Sequence, residues 1–567
     1  MNANNKTKWA IIKSFVRDHK LAFMFTIING MITNILIVLI PVGLGKYFDF
    51  LFGFQSHRAA FLDILPFSFW STIQQYLLFL LILILLKMIF QYFQRFQMAF
   101  LGEKFVKELR EQLFQQQLKI QAVIYDDFGT GRYLLRHSGD LKSIQNYFTR
   151  GIIRFSTDIF LLLVAFGFLL WLNKIIFFII VGGFVLTVFC IFFLNKILFK
   201  ISVNQRNTRS GLLSFVNRQL QATKTIKVFN KDVTEIGKYN KRSSQLFAVS
   251  VRFQKIYNLI YVSVPALLYV ILVIVLYYIY DLKQEGSILF ETSEMLGFVL
   301  LFITILPIFR RVLRVTTVWE LGNISFNKLL KVFDLPVEPN TVELQPYLFK
   351  EGNIEFKDVN FSYSDEQTVF KNLNFVIKPN SINQIKIGNG EGKSTLVKLF
   401  AGLYLPNNGK ILYDGQAMDL LDLKSLRKKI TFISDEFTLV GRTIFEVVSY
   451  SRNKTKIPKA QEILDEFQQN IPLKMQLNLS DKVMEGGKNL AKSQIKMLQY
   501  IRAVLSDKPI IIIDEPVRNL EKNTKVNIID WLNIQSKAKT IVFLCRTWRD
   551  PSFMINNTIE IAQFSSI

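Results

Sequence analysis

The stretch KIGNGEGKSTL, residues 386–396, decides the fold of the C-terminal part of this chain. Its core matches the phosphate-binding pattern G-x-x-x-x-G-K-[ST], with Ile387 standing where the first glycine belongs. SINQIKI before it reads as a strand and KSTLVKLFAG after it as a helix, the setting the pattern requires. In such a turn the backbone N–H groups wrap phosphates and the helix N-terminus adds positive potential. Gly388, Asn389, Gly390, Glu391 and Gly392 form the turn. Lys393 is placed to reach the β- and γ-phosphates, Ser394 to ligate Mg²⁺, and Thr395 stands next on the helix. Gly388 and Gly390 still supply a permissive backbone beside Ile387, so nucleotide binding is expected to survive the substitution.

Downstream, PIIIIDEP (residues 509–516) is a buried-strand run that ends in two carboxylates. With a phosphate loop upstream, Asp514 is expected in the Mg²⁺ shell and Glu515 beside the attacking water.

The N-terminal half has a different character. Residues 21–44, 64–86 and 256–280 carry no charge, and each run is long enough to cross a hydrocarbon core of about 30 Å as a helix. A further pair, 155–172 and 175–194, is split by Asn173 and Lys174, and a last run covers 287–309, with Glu291 and Glu294 at its start. Six spans are expected, all before residue 315. The net charge of +25 collects on alternate connections. Lys6 to Lys20 precede the first span, Lys104 to Arg150 lie between the second and third, and Lys196 to Lys227 lie between the fourth and fifth. That asymmetry places both termini and two long loops in the cytoplasm. It is a topology signal with attraction for anionic headgroups, and it does not call for nucleic acid. Cys190 and Cys545 make no disulfide framework, and His19, His57 and His137 form no metal cluster.

The basic connections read as membrane helices continuing into the cytoplasm, for example through Phe105, Leu109, Leu113 and Leu118. Short transverse segments are expected near 124–130 and 211–216. Pro336, Pro339 and Pro346 mark a linker, which divides the chain into a membrane domain (1–335), a linker (336–350) and a nucleotide-binding domain (351–567).

These features resemble the ATP-binding cassette (ABC) transporter family in its exporter-type half-transporter form, over nearly the whole chain. IEFKDVNFSY (354–363) resembles the strand that ends in the adenine-stacking aromatic, here Tyr363. GLYLPNNGKILYDGQ (402–416) resembles the segment after the phosphate helix. VMEGGKNLAKSQ (483–494) aligns with V-G-E-x-G-x-N-L-S-G-G-Q, and RAVLSDKPIIIIDEP (502–516) comes after it at the family's spacing. The phosphate loop is similar to the G-G-N-G-x-G-K-S-T variant of cyclic-peptide exporters. The resemblance implies a polytopic α-helical membrane domain of six transmembrane helices extending into the cytoplasm, then an α/β P-loop ATP-binding cassette. It also implies ATP and Mg²⁺ as cofactors, a bacterial inner or plasma membrane, and a cytoplasmic cassette.

Several positions depart from the family pattern. Asp435 stands for the glutamine that senses Mg²⁺, and Arg546 for the switch histidine. The signature reads Leu490, Ala491, Lys492, Ser493, Gln494, which removes a serine hydroxyl aimed at the opposite ATP and adds side chains where glycines allow close approach. S-A-L-D becomes Arg518, Asn519, Leu520, Glu521. Arginine can donate to phosphate but has no acceptor, so it does not copy a neutral histidine. The resemblance implies impaired hydrolysis and a second half-transporter as partner, a heterodimer being favoured over a homodimer. A non-hydrolytic regulatory subunit and an importer on the same fold are the alternatives. Few charges lie deep in the spans, which favours an amphiphilic, lipid-like or peptide cargo. Asn29, Thr33 and Asn34 form a polar strip whose commoner use is interhelical packing.

The charge asymmetry has a direct check. Cysteines introduced at His57 and Gln284 should react with an impermeant maleimide outside intact cells, whereas cysteines at Gln121 and Gly211 should react only after lysis.

Overall fold

The computed structural model describes residues 7–52, 72–128, 133, 135–137, 139–172, 174–284, 292–338, 344–364, 367–388, 390–469, 476–520, 522–546 and 552–561. His57, Glu291, Pro339, Asn389, Glu521 and the first residues of the second and sixth expected spans lie outside them. Backbone contacts divide the chain into two units. One comprises Met1–Leu118 with Thr130–Leu335, and the other Lys119–Gly129 with Pro336–Ile567.

In chain order the helices are α1 (Lys8–Asp18), α2 (Lys20–Phe52), α3 (Ile73–Gln117), α4 (Ala122–Phe128) and α5 (Gly139–Asn146), then a π-helical stretch (Tyr147–Arg154). After it come α6 (Phe155–Leu172), α7 (Lys174–Gln221), α8 (Thr223–Val228), α9 (Asp232–Gln284), α10 (Thr292–Leu313) and α11 (Val315–Phe333). Among the described residues, four helices are long and apolar enough to cross a membrane: Lys20–Leu44, Ile73–Gln117, Lys174–Gln221 and Asp232–Asp281. Helices α6 and α10 occupy the third and sixth expected runs. Pro41, Pro265 and Pro307 sit inside helices, as neighbouring helices permit in membrane bundles.

One transverse segment is misplaced by the sequence reading. Residues 211–216 lie within α7, which runs on to Gln221, and the break comes at α8 instead. A single glycine costs a helix only about 1 kcal/mol, too little to stop one with continuous apolar periodicity. The chain turns at Asn230, which adopts a left-handed φ of 50° that asparagine tolerates. The first transverse segment is α4, beginning two residues before the expected Ile124.

The polar strip of α2 is consumed in packing. Asn34 Nδ2 donates to the Thr157 carbonyl (2.6 Å), Asn29 Nδ2 to Gln97 Oε1 (3.2 Å), and Thr33 Oγ1 to the Asn29 carbonyl (2.7 Å). Gly30 permits the close approach, since a Cβ there would lie 2.5 Å from Thr157 Cγ2. Asp158, in the first turn of α6, accepts two bonds from Arg311, in the last turn of α10 (Nη2 at 2.9 Å, Nε at 3.0 Å). Each charge also has the sign its own helix end favours.

The second unit holds three sheets. Strands β2 (Ile354–Ser364), β3 (Gln367–Ile377), β5 (Asn408–Tyr413) and β6 (Gln416–Ala417) form an antiparallel sheet in the order β3-β2-β5-β6. A parallel sheet runs β11-β4-β10-β9-β8, built from β4 (Ile382–Lys386), β8 (Ile430–Ile433), β9 (Ile510–Asp514), β10 (Thr540–Cys545) and β11 (Ile555–Glu560). The run of isoleucines explains its burial on both faces. Ile510 and Ile512 join one core with Ile385, Val542 and Leu544, while Ile511 and Ile513 join another with Ile382, Ile541 and Phe543.

Helix α4 packs Ala122 and Val123 on the first of these cores. Its Asp126 accepts from Lys398 Nζ (3.0 Å) and Tyr404 Oη (2.5 Å). Part of the proline-marked stretch is likewise stitched in. Strand β1 (Gln345–Pro346) pairs with β7 (Leu421–Asp422), and Asp414 gathers the segment from Tyr347 to Asn353. Its carboxylate accepts from Tyr347 Oη (2.7 Å) and from the N–H groups of Lys350 (2.9 Å), Gly352 (2.9 Å) and Asn353 (2.9 Å). Burial alone would raise its pKa, but these bonds hold the carboxyl below the usual carboxylate value. The stability this contributes is present above the unfolded carboxyl pKa and fades as pH falls through the lower folded one. Asp414→Ala should cost about 2 kcal/mol or more near neutral pH, and calorimetry should show the gap to wild type shrinking in acid.

Candidate functional site

Strand β4 delivers the chain into the phosphate loop, and α12 (Lys393–Phe400) carries it away. Ile387 is buried in the core, and its N–H donates to the Cys545 carbonyl (3.1 Å), so this position continues the pairing of β4 with β10 and has no left-handed backbone to accommodate. The glycines that matter lie further on. Gly390 and Gly392 adopt φ of 85° and 93°, and a Cβ on Gly392 would lie 2.5 Å from Val369 Cγ1. Glu391 folds back to accept the Gly388 N–H with its own carboxylate. An anion of the chain thus occupies a donor of the loop meant for phosphate.

Lys393 bridges the loop to the two carboxylates at the end of β9. Its Nζ lies 2.7 Å from Glu515 Oε1 and 3.0 Å from Asp514 Oδ1. Burial would lower this ammonium, but the two carboxylates outweigh it and raise the pKa above the ordinary lysine value. Glu515 sits in left-handed backbone (φ 50°), a sparsely populated conformation for glutamate, pinned by its N–H to the Leu544 carbonyl (2.9 Å). Ser434, at the end of β8, donates to Asp514 Oδ2 (3.1 Å).

The remaining expected residues are dispersed around this pair. Tyr363 Oη is 2.8 Å from Thr395 Oγ1, and its ring packs edge-on to Tyr404, which ties the aromatic strand to the phosphate helix. Ser394 stands in the first turn of α12. Asp435 and Arg546 are exposed just beyond β8 and β10. Ala491 is the N-cap of α16 (Lys492–Ser506); α13 (Leu423–Arg427), α14 (Ile444–Ser449) and α15 (Ile457–Gln468) precede it. With no hydroxyl at the cap, Gln494 supplies the local bond, its Oε1 accepting from the Ala491 N–H (2.9 Å). Lys492 is exposed, and Ser493 half-buried, in the first turn.

A divalent ion would find oxygen donors here. Asp514 Oδ1 is buried without a hydrogen bond of good geometry, although Lys393 stands close by. Among the described residues no group of three or more His, Cys, Asp or Glu is placed to hold a metal. That suits Mg²⁺, which takes few protein oxygens and completes its shell with phosphate and water. Ser394 and Asp514 are the residues that would hold it, with Asp435 just past the end of β8.

Sequence reasoning missed one charged residue. Lys496, on α16, is 4 % exposed and donates to the main-chain carbonyl of Asp514 (2.5 Å). Burial pushes its ammonium down to about 8, against the pull of Asp514, Asp435 and Glu515. A lysine two residues past a signature segment reads as solvated surface. Only its place in the repeat, with Met497, Tyr500 and Ile501 buried around it, marks the face as interior.

The geometry agrees with what the chain is similar to. The ABC transporter transmembrane region matches residues 23–306, and the ABC transporter cassette matches residues 370–518. An ATP-dependent lipid A-core flippase of Legionella pneumophila (strain Paris) is 24% identical over 462 residues, 79% of this chain and 76% of that protein. The ABC transporter ATP-binding protein YknV of Bacillus subtilis (strain 168) is 24% identical over 470 residues, 79% of this chain and 74% of its own length. A bacterial Atm1-family ABC exporter solved with ATP bound superposes with a TM-score of 0.77 at 17% identity, over 94% of this chain and 92% of that one. With a membrane region and a cassette matched in that order, this chain belongs to the ABC transporter family, as an exporter-type half-transporter and multi-pass integral protein of the bacterial inner membrane.

Proposed function

We propose that this chain is one half of a dimeric ATP-driven exporter, and that its own cassette binds ATP more readily than it hydrolyses it. The observation that carries the reading is the Lys393 bridge to Asp514 and Glu515, which brings the cation expected to meet phosphate beside the carboxylates expected at Mg²⁺ and the attacking water. Of the positions that would sense and discharge a γ-phosphate, Asp435 and Arg546 are changed at this chain's own site, and Ala491, Lys492 and Ser493 in the signature that would face the opposite ATP. A homodimer would carry all of these changes in both composite sites, whereas a heterodimer would confine the altered switch to one site and the altered signature to the other, which favours a heterodimer. ATP with Mg²⁺ at the paired cassettes would drive the exchange between inward- and outward-facing states.

The cargo is read as an amphiphile of lipid-like character. Supporting this, the first unit contains an open apolar groove of about 320 Å³ between α6, α7, α10 and α11, lined by Phe155, Phe166, Phe184 and Phe192, with Asn195 and Thr316 bonded to each other in its wall. Several curated relatives are named as lipid A-core flippases, which points the same way.

Two measurements test the site. Lys393→Ala should abolish saturable binding of a fluorescent ATP analogue to the purified chain. Glu391→Ser, which frees the Gly388 N–H and removes an anion from the loop, should tighten that binding by about threefold to tenfold.

A third measurement tests the asymmetry. Loss of one transition-state hydrogen bond typically costs about 10²–10³ in rate, so the chain alone should turn over ATP very slowly. Combining Arg546→His with Ala491→Ser, Lys492→Gly and Ser493→Gly should raise the rate, and Glu515→Gln should silence what remains. Brisk hydrolysis by the unmodified chain alone would remove the need for a partner. No turnover even with a matching half-transporter would favour a regulatory subunit.

A further inference from the structure

Lys496 has a chemistry that the proposed ATP cycle does not use. Its ammonium carries three N–H groups, yet among the described residues its one hydrogen-bond acceptor is the Asp514 carbonyl. One turn along the same face, Gln499 donates Nε2 to the Ser434 carbonyl (3.0 Å), and its buried Oε1 has no hydrogen-bond partner among the described residues. Ser434 in turn donates to Asp514 Oδ2 (3.1 Å), while among the described residues Asp514 Oδ1 accepts no hydrogen bond of good geometry and has the Lys393 ammonium 3.0 Å away. A helix face of Lys496 and Gln499 thus backs the strand end from which Asp514 and Glu515 project. Burying an ammonium is costly, and a neutral side chain could donate to one carbonyl at less expense. The charge itself is therefore the feature to explain. Asp514, whose carbonyl it meets, also holds the Lys393 ammonium 3.0 Å from its carboxylate.

We propose that Lys496 is a resident cation of the hydrolytic pocket, supplying at the Asp514 end part of the positive charge that a divalent ion brings there. The inference rests on the reading of residues 386–396 as an ATP site. A fixed charge behind Asp514 repels an incoming divalent ion and offsets the carboxylates that would attract it, and affinity for hard cations depends on the net charge of the ligand set. The same charge attracts the phosphates. This half-transporter is thereby tuned to hold ATP with little call on Mg²⁺, and Lys496 acts as a positioning residue through Asp514.

The experiment titrates a fluorescent ATP analogue into the purified full chain, in excess Mg²⁺ and in EDTA. Wild type should lose less than about threefold in affinity when Mg²⁺ is removed, whereas Lys496→Met and Lys496→Gln should lose about tenfold or more. Lys496→Arg, which keeps the charge, should retain the wild-type ratio. A merely structural bond to the Asp514 carbonyl would lower affinity equally in both media, and an equal ratio in wild type and the neutral variants would overturn the proposal. A wild-type loss of tenfold in EDTA would overturn it without any variant, so misfolding of one cannot shelter it. Saturable binding that Lys393→Ala removes keeps the ATP site in place whichever way Lys496 falls. Absence of saturable wild-type binding in both media would overturn the site reading and this inference together.

Discussion

Everything at this site depends on how the parallel sheet aligns its strand ends. Ile385 of β4, Leu544 of β10 and Asp514 of β9 lie in one hydrogen-bonded row. The phosphate loop leaves β4 just past that row, and the acidic pair leaves β9 at it, with β10 as the only strand between. A slip by one residue would move the whole set of inward side chains to the other face. The two isoleucine-rich cores take alternate residues along β9 and β10, so both faces of these strands are buried. The register of the strands brings a lysine ammonium within 2.7 Å of a carboxylate far from it in sequence.

Much of this could be read from the residues because the chemistry is local. A strand, a glycine turn and a helix N-terminus succeed one another between 381 and 402, and the apolar membrane runs need no tertiary information to be recognised. What escaped notice depends on neighbours that are remote in sequence. Gly211 looks like a stop, but the helix around it propagates to Gln221, and the chain turns only at Asn230, ahead of α9. Lys496 looks solvated until α16 is laid across β8 and β9. Ile387 seems a lesion in the phosphate pattern, yet in the fold it is a core residue. The roll of candidate site residues could be written from motif alignment. Their mutual distances could not.

The altered signature has a local energetic logic. A helix start leaves several N–H groups unpaired, and a serine at the cap would satisfy one of them. With Ala491 in that place, Gln494 closes the opposite half of the capping arrangement by accepting the Ala491 N–H. The helix therefore keeps a defined beginning without a side-chain hydroxyl at its cap.

The second unit is discontinuous, since α4 precedes the rest of it by a whole series of membrane helices. Asp126 meets its partner Lys398 across 272 positions. At roughly 5–20 residues per second, a ribosome needs about a quarter of a minute to a minute to span that separation. During this interval Ala122 and Val123 have no core to enter and Asp126 has no cation, so this piece must wait in the nascent chain while later helices are threaded into the bilayer. Docking of this piece is thus gated by a segment synthesised after the membrane helices. A chain released before Lys398 and Tyr404 emerge would leave the early cytoplasmic turn exposed to proteases and chaperones.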